Sequence, residues 1–381
     1  MRSVPNSKQQ QQQQTTTTTN NNKQQNRIGM MVRVKAPKKD NAFFTPAKHF
    51  LVMIGVFGMI GLGVVLLKFH RQESRAFQLR TGGGGMGMGM VDAHSAKYLV
   101  NKPHLVYGTA WKKDDTAKYV HDAIQAGFRF IDTACQPKHY NEKGVGLGWT
   151  SAAQELGLTR ADLWIQTKFT PYSGQDPNNV PYDQNAPVAD QARTSLEVSL
   201  RNLQTDYLDS WVLHSPMEHF EDTMKVWRVM EDAVDSGKAH QIGISNCYDM
   251  DVFRALYQQA RVKPAVVQNR FYAESDFDTE LRIFCKDRNI KYQSFWTLTA
   301  NRTALASPKV IELASAKGLT AQTYMYAFLM SLGYVTPLSG TRSIQHMAQD
   351  VAVMERMQGG EELFTVTEQK EMAALLGMPG L

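Results

Sequence analysis

Three ionisable residues close short apolar runs in this chain: Asp132 in GFRFIDTA, Lys168 in ADLWIQTK and His214 in YLDSWVLH. A carboxylate, an amine and an imidazole held at one place can move a proton to or from a bound substrate. Taken singly, each has an ordinary use. Asp132 could cap a turn, Lys168 could be a solvated strand-end amine, and His214 could be a satisfied core imidazole. Their recurrence at the carboxyl ends of successive strand-like runs points instead to shared proton chemistry.

Such residues cooperate only if their strands deliver them to one face, and the carboxyl ends of the strands in a parallel α/β barrel do so. From residue 105 the chain alternates short β-like runs with longer amphipathic stretches. The runs lie at 105–109, 128–132, 162–168, 208–213, 240–244, 265–268, 290–295 and 334–338. Alternating elements predict a parallel sheet, and eight units in about 280 residues predict one closed (β/α)8 barrel over 97–381. Helices with acidic starts stop at Gly127 and Gly237. The predicted strand ends carry Thr109 with Trp111 behind it, Asp132, Lys168, His214, Ser245 and Asn246, Gln268, Phe295 with Trp296, and Ser339. The stretch 171–187, rich in Pro, Asn, Asp and Gly, follows the third strand and reads as a substrate-side loop. The segment 357–381 reads as a cover for the barrel mouth.

Charge is unevenly spread along the 381 residues. The net +6 comes from the beginning of the chain, where residues 1–48 hold nine Lys or Arg against Asp40 alone. The last 300 residues are slightly acidic, which excludes a phosphate-binding basic surface and hence a nucleic-acid partner for the folded part. Residues 8–25 are almost wholly Gln, Thr and Asn, too polar to fold, so 1–48 reads as a disordered tail. Phe50 to Leu67 is a run of eighteen residues without a charge. As a helix it would span about 27 Å, close to a bilayer's hydrocarbon core. It predicts a single-pass transmembrane anchor over 49–69. Positive residues flank it on both sides, so charge alone does not orient it. Residues 70–96, with TGGGGMGMGM at 81–90, form a Gly-rich linker. Cys135, Cys247 and Cys285 are too few and too widely spaced for a disulfide framework or a metal site.

Over about residues 100–375 the chain resembles the aldo-keto reductases. The matching pieces are VYGTAW, GFRFIDTA, HYNEKGVG, TKFTP, LDSWVLHSP, GKAHQIGISN and PAVVQN, in family order. The resemblance implies reduction of an aldehyde or ketone with hydride from NADPH, and a catalytic tetrad of Asp132, Tyr140, Lys168 and His214. It also implies that Ser245, Asn246 and Gln268 hold the nicotinamide carboxamide and that Phe295 or Trp296 stacks on the ring. Trp111, with Trp149, Tyr172 and the 171–187 loop, reads from its residue type and place as part of an aromatic substrate pocket. A tyrosine is a reluctant acid at neutral pH, and the Lys168 ammonium is expected to lower its pKa.

Two departures from the family pattern stand out. Tyr140 lies eight residues after Asp132 instead of five, because of an extra QPK at 136–138, which leaves His139 as a second proton-donor candidate. The family's Pro-Lys-Ser and later Arg-x-x-x-Asn are replaced by Pro337-Leu338-Ser339 and by His346 to Asp350. Ser339 and Arg342 remain to hold the adenosine end, and NADH stays open beside NADPH. Barrels of this family also serve as β partners of potassium channels, so a cofactor-sensing regulatory subunit is the competing function.

Overall fold

The computed structural model describes residues 96–380; the tail, anchor and linker expected before Ala96 lie outside the described residues. Eight parallel strands close in chain order into a barrel. They are β1 (Val106–Gly108), β2 (Phe130–Asp132), β3 (Trp164–Phe169), β4 (Leu208–Leu213), β5 (Ala239–Ser245), β6 (Val266–Arg270), β7 (Lys291–Phe295) and β8 (Val335–Ser339). The main helices are α1 (Thr116–Ala126), α2 (Glu142–Leu156), α3 (Val188–Leu203), α4 (Phe220–Asp235), α5 (Met250–Gln259), α6 (Thr279–Asp287), α7 (Pro308–Ala316), α8 (Ala321–Ser331), α9 (Ile344–Gln358) and α10 (Val366–Leu376). All eight expected strands are present, with ends moved by a residue or two. Among the described residues, no helix is long and apolar enough to cross a membrane.

Local chemistry sets the helix limits. Asn141 caps α2 by accepting the Gly144 N–H at 2.9 Å, and Asp249 caps α5 by accepting the Asp251 and Val252 N–H groups. Gly127 ends α1 at φ 120°, a conformation that a side chain would oppose. Gly146 lets α2 lie against the end of α3; a Cβ there would come within 2.3 Å of the Asn202 carbonyl oxygen. The apolar faces of these helices and the outward strand residues form one continuous core that includes Trp211, Trp227, Tyr292 and Phe328.

The loop after β3 packs on the carboxyl face as expected: the Tyr182 hydroxyl donates to the Thr170 carbonyl at 2.7 Å, with its ring 5.6 Å from that of Phe169. The chain's end differs from expectation. The Phe364 ring packs at a tilt against Tyr324 and Phe328 of α8, Gln369 donates to Ser331, and the Pro379 carbonyl accepts from Arg282 of α6. The segment therefore lies along the outer helical layer, because its apolar residues find α6 and α8 there. It does not cover the mouth.

Candidate active site

Asp132 ends β2 and pairs in register with Gln166 of β3, which brings Lys168 one step further toward the carboxyl face. Both side chains are almost completely buried. Lys168 Nζ donates to Asp132 Oδ1 and Oδ2, each at 2.7 Å, and to the Thr133 carbonyl at 2.8 Å. An ammonium has three protons, so all are used. Burial pulls the Lys168 amine below its ordinary pKa, and Asp132 offsets part of that pull.

The extra residues before Tyr140 are absorbed by a tight turn. Both the His139 and Tyr140 N–H groups donate to the Gln136 carbonyl at 3.0 Å, which swings Tyr140 back over the barrel. Its ring lies 5.4 Å from Lys168 Nζ and 6.0 Å, edge-on, from the His214 ring. His139 takes a different place. Its ring lies tilted against that of Trp111, 3.8 Å between centroids, and the Trp111 N–H donates to its carbonyl at 2.7 Å. Trp111 itself is half exposed at the mouth.

The Tyr140 hydroxyl does not behave as the neighbouring ammonium alone would suggest. Burial raises its pKa, and the negative charge of Asp132 raises it further. Lys168 spends its protons on Asp132 and Thr133, so it does not hydrogen-bond a phenolate in this arrangement. Tyr140 is thereby held as a protonated phenol at neutral pH. His214 follows β4, its N–H donating to the Phe169 carbonyl at 2.8 Å. Its Nδ1 is 2.6 Å from Thr170 Oγ1. Burial first, then Lys168 and His139, keep the imidazole well below its usual range and therefore neutral.

Ser245, Asn246 and Gln268 meet beside this centre. Ser245 pairs in register with Gln268, and its hydroxyl donates to the Gln268 carbonyl at 2.6 Å. Asn246, at φ 51°, turns the chain so that its amide donates to the His214 carbonyl at 2.8 Å. The Gln268 amide reaches Asp132 Oδ1 at 3.0 Å, which joins the trio to the ion pair. Phe295 ends β7 opposite Arg270, whose guanidinium lies 4.1 Å over the half-exposed Trp296 ring. The polar amide edges, a flanking aromatic ring and the Gln268 side-chain oxygen Oε1, distinct from the backbone carbonyl that Ser245 bonds, fit a carboxamide-bearing ring.

At the end of β8 the Ser339 hydroxyl donates to Asp350 Oδ2 at 2.6 Å. Exposed Arg342 donates to the Trp111 carbonyl, tying the β8 loop to the β1 loop. Lys112 is a residue that sequence reasoning missed. It is buried, donates to the Gly340 carbonyl at 3.0 Å and lies 4.7 Å over the Tyr107 ring. Burial, then Arg342, lower its pKa to about 7. Nothing in the doublet Lys112–Lys113 distinguishes the buried amine from its neighbour. Glu142 was also missed. It accepts from Thr167 Oγ1 at 2.6 Å and Ser199 Oγ at 2.8 Å, fastening the start of α2, next to Tyr140, to β3 and α3. Burial raises its pKa, and the hydroxyl donors oppose that rise.

A sequence model described as the aldo/keto reductase family matches residues 104–366, the whole barrel with its site. The chain belongs to the aldo/keto reductase family. It is an NAD(P)H-dependent carbonyl oxidoreductase by that membership. Among its relatives is a glyoxal reductase of Bacillus subtilis, 29% identical over 224 residues, which span 58% of this chain and 72% of that one. Another is a 9,11-endoperoxide prostaglandin H2 reductase of Trypanosoma cruzi, 30% identical over 54% of this chain and 65% of that one. Solved aldo-keto reductases share the fold. One from Brucella melitensis superposes with a TM-score of 0.59 at 22% identity, covering 71% of this chain and 94% of that one. One from Bombyx mori, in complex with NADP, gives 0.57 at 22% identity, covering 72% and 89%.

Proposed function

We propose that this aldo/keto reductase converts an aldehyde or ketone to an alcohol through Asp132, Tyr140, Lys168 and His214, with NADPH as the cofactor. The observation that carries this reading is the meeting of the buried Lys168–Asp132 pair, the Tyr140 ring and neutral His214 beside Ser245, Asn246 and Gln268. NADPH, when bound, supplies the hydride to the carbonyl carbon. With Thr170 Oγ1 as the donor across its 2.6 Å contact to Nδ1, neutral His214 would carry its proton on Nε2, from which it can hydrogen-bond the carbonyl oxygen. Burial keeps the Tyr140 hydroxyl protonated, so it can act as the acid toward that oxygen, and Lys168 offsets the phenolate charge as the proton leaves. Trp111 flanks the substrate. Lys112 and Arg342 supply two cations at the β8 end, suited to a cofactor phosphate, and an anion there would draw Lys112 back to its charged form. The NADP-bound silkworm relative supports NADPH over NADH.

Replacing Tyr140 by Phe should lower turnover with a panel of small aldehydes and ketones by about 10²–10⁴-fold, the usual contribution of a positioned acid. Cofactor binding should survive, as followed by fluorescence. Undiminished turnover in Tyr140→Phe would move the acid role elsewhere, with His139 next in position. Cofactor binding without turnover in the unaltered protein would favour the regulatory-subunit reading.

The barrel is proposed to be tethered to a membrane through residues 50–67, on the support of that uncharged run. The full chain should stay in the membrane pellet after alkaline carbonate extraction; release into the supernatant would rule out a spanning anchor.

A further inference from the structure

Three glutamines that take no part in proton transfer meet Asp132 inside the barrel: Gln166 of β3, Gln268 of β6 and Gln293 of β7, all buried. Gln166 Nε2 donates to Asp132 Oδ1 and to Gln293 Oε1, each at 2.7 Å. Gln268 Nε2 donates to Asp132 Oδ1 at 3.0 Å and to Gln293 Oε1 at 2.9 Å. The four bonds form a closed ring through β2, β3, β7 and β6. The Gln166 and Gln268 amide nitrogens each have two hydrogens and use both, while the Gln293 side-chain oxygen uses both lone pairs.

Packing does not account for this ring. Barrel interiors of this kind are filled mainly by branched apolar side chains, and burying amides costs free energy that hydrogen bonds only offset. Gln166 even leaves its own Oε1 buried without a partner in order to keep its amide nitrogen in the ring. What the ring achieves is orientation. With its nitrogen committed to Asp132 and Gln293, Gln268 can meet a ligand only through its carbonyl oxygen, beside Ser245 and Asn246. A carboxamide N–H donating to that oxygen would polarise the same amide toward Asp132, since linked hydrogen bonds strengthen one another.

We propose that Gln293, whose Oε1 accepts from both Gln166 and Gln268, is a positioning residue: with Gln166 it closes a ring that aims Gln268 at the nicotinamide carboxamide and couples that contact to the Asp132–Lys168 pair. This rests on the reductase reading of the site. The test uses the full chain, with NADPH binding read from quenching of tryptophan fluorescence and kcat and KM from cofactor oxidation. Gln293→Met keeps the side chain's length but removes the acceptor, stranding one hydrogen on each of two amides. The NADPH Kd should rise and kcat should fall, each about tenfold, the scale of a lost buried hydrogen bond, with the carbonyl KM within about twofold. Gln268→Met should match it, and the double variant should be no worse than Gln268→Met alone.

A folded Gln293→Met with Kd and kcat unchanged, lower only in thermal stability, would reduce the ring to structure and overturn the proposal. So would independent, additive losses in the double variant. Gln166→Met opens the ring from its other side and decides the matter by the same readouts if Gln293→Met does not fold. Unaltered protein that binds no nicotinamide dinucleotide would sink the reductase reading together with the ring. Binding with indifferent variants sinks the ring alone.

Discussion

Two buried aspartates on the carboxyl-side half of this barrel have been given opposite surroundings. Asp132, on β2, takes four hydrogen bonds from charged or amide donors: two from Lys168, one from Gln166 and one from Gln268. Asp350, on α9, takes one, from the Ser339 hydroxyl. Burial pushes the Asp350 carboxyl up to about 7, and Ser339 opposes only part of that rise. A hydroxyl cannot replace the water that a carboxylate loses on burial, whereas an ammonium and two amides can. The difference separates a centre built to hold charge in a fixed place from a rim where charge is barely tolerated. It also separates strand residues, placed by register, from loop and helix residues, placed by packing.

The sharpest way to break this contrast is to remove the ammonium from the better-served carboxylate. Lys168→Met should destabilise the protein by about 3–5 kcal/mol in urea unfolding, because it leaves a buried charge without its partner. Turnover should be lost as well. A loss below about 1 kcal/mol would mean that the glutamine donors suffice for Asp132, and the centre would then owe its charge to amides, not to the ion pair.

The same division governs what could be read in advance. The eight strands were legible because buried parallel strands are short apolar runs between helix-like stretches. Asp132, Lys168, His214, Ser245 and Gln268 were legible because they close those runs, and register then brings them together. Gln166 carried a signal that went unused: it lies two residues before Lys168, so both face the same side of β3. Gln293 carried none, since the amides it accepts from belong to Gln166, 127 positions away, and to Gln268, 25 positions away on another strand. The Tyr140 turn, the buried amine of Lys112 and the course of the last helix depend on which loop meets which. Composition could not supply that. The raised Tyr140 pKa was missed for a related reason: it comes first from burial and then from the Asp132 charge, and the depth of a loop residue is set by packing.

The rim offers the subtler test. Asp350 binds its proton more tightly in the folded protein than an unfolded aspartate does, so between about pH 4 and pH 7 the folded state carries more protons than the unfolded one. Stability contributed by this group is therefore complete below pH 4 and falls as the pH rises toward 7. Asp350→Asn keeps an oxygen to accept the Ser339 hydroxyl and cannot ionise. It should match the unaltered protein in thermal stability at pH 4 and exceed it at pH 8, by on the order of 1–3 kcal/mol in unfolding free energy. Thermal melts across that range measure the difference. An Asn variant less stable than the parent at pH 8 would mean that the ionised carboxylate is held by a cation at the rim, with Lys112 and Arg342 the first to examine, and the two aspartates would then differ in degree and not in kind.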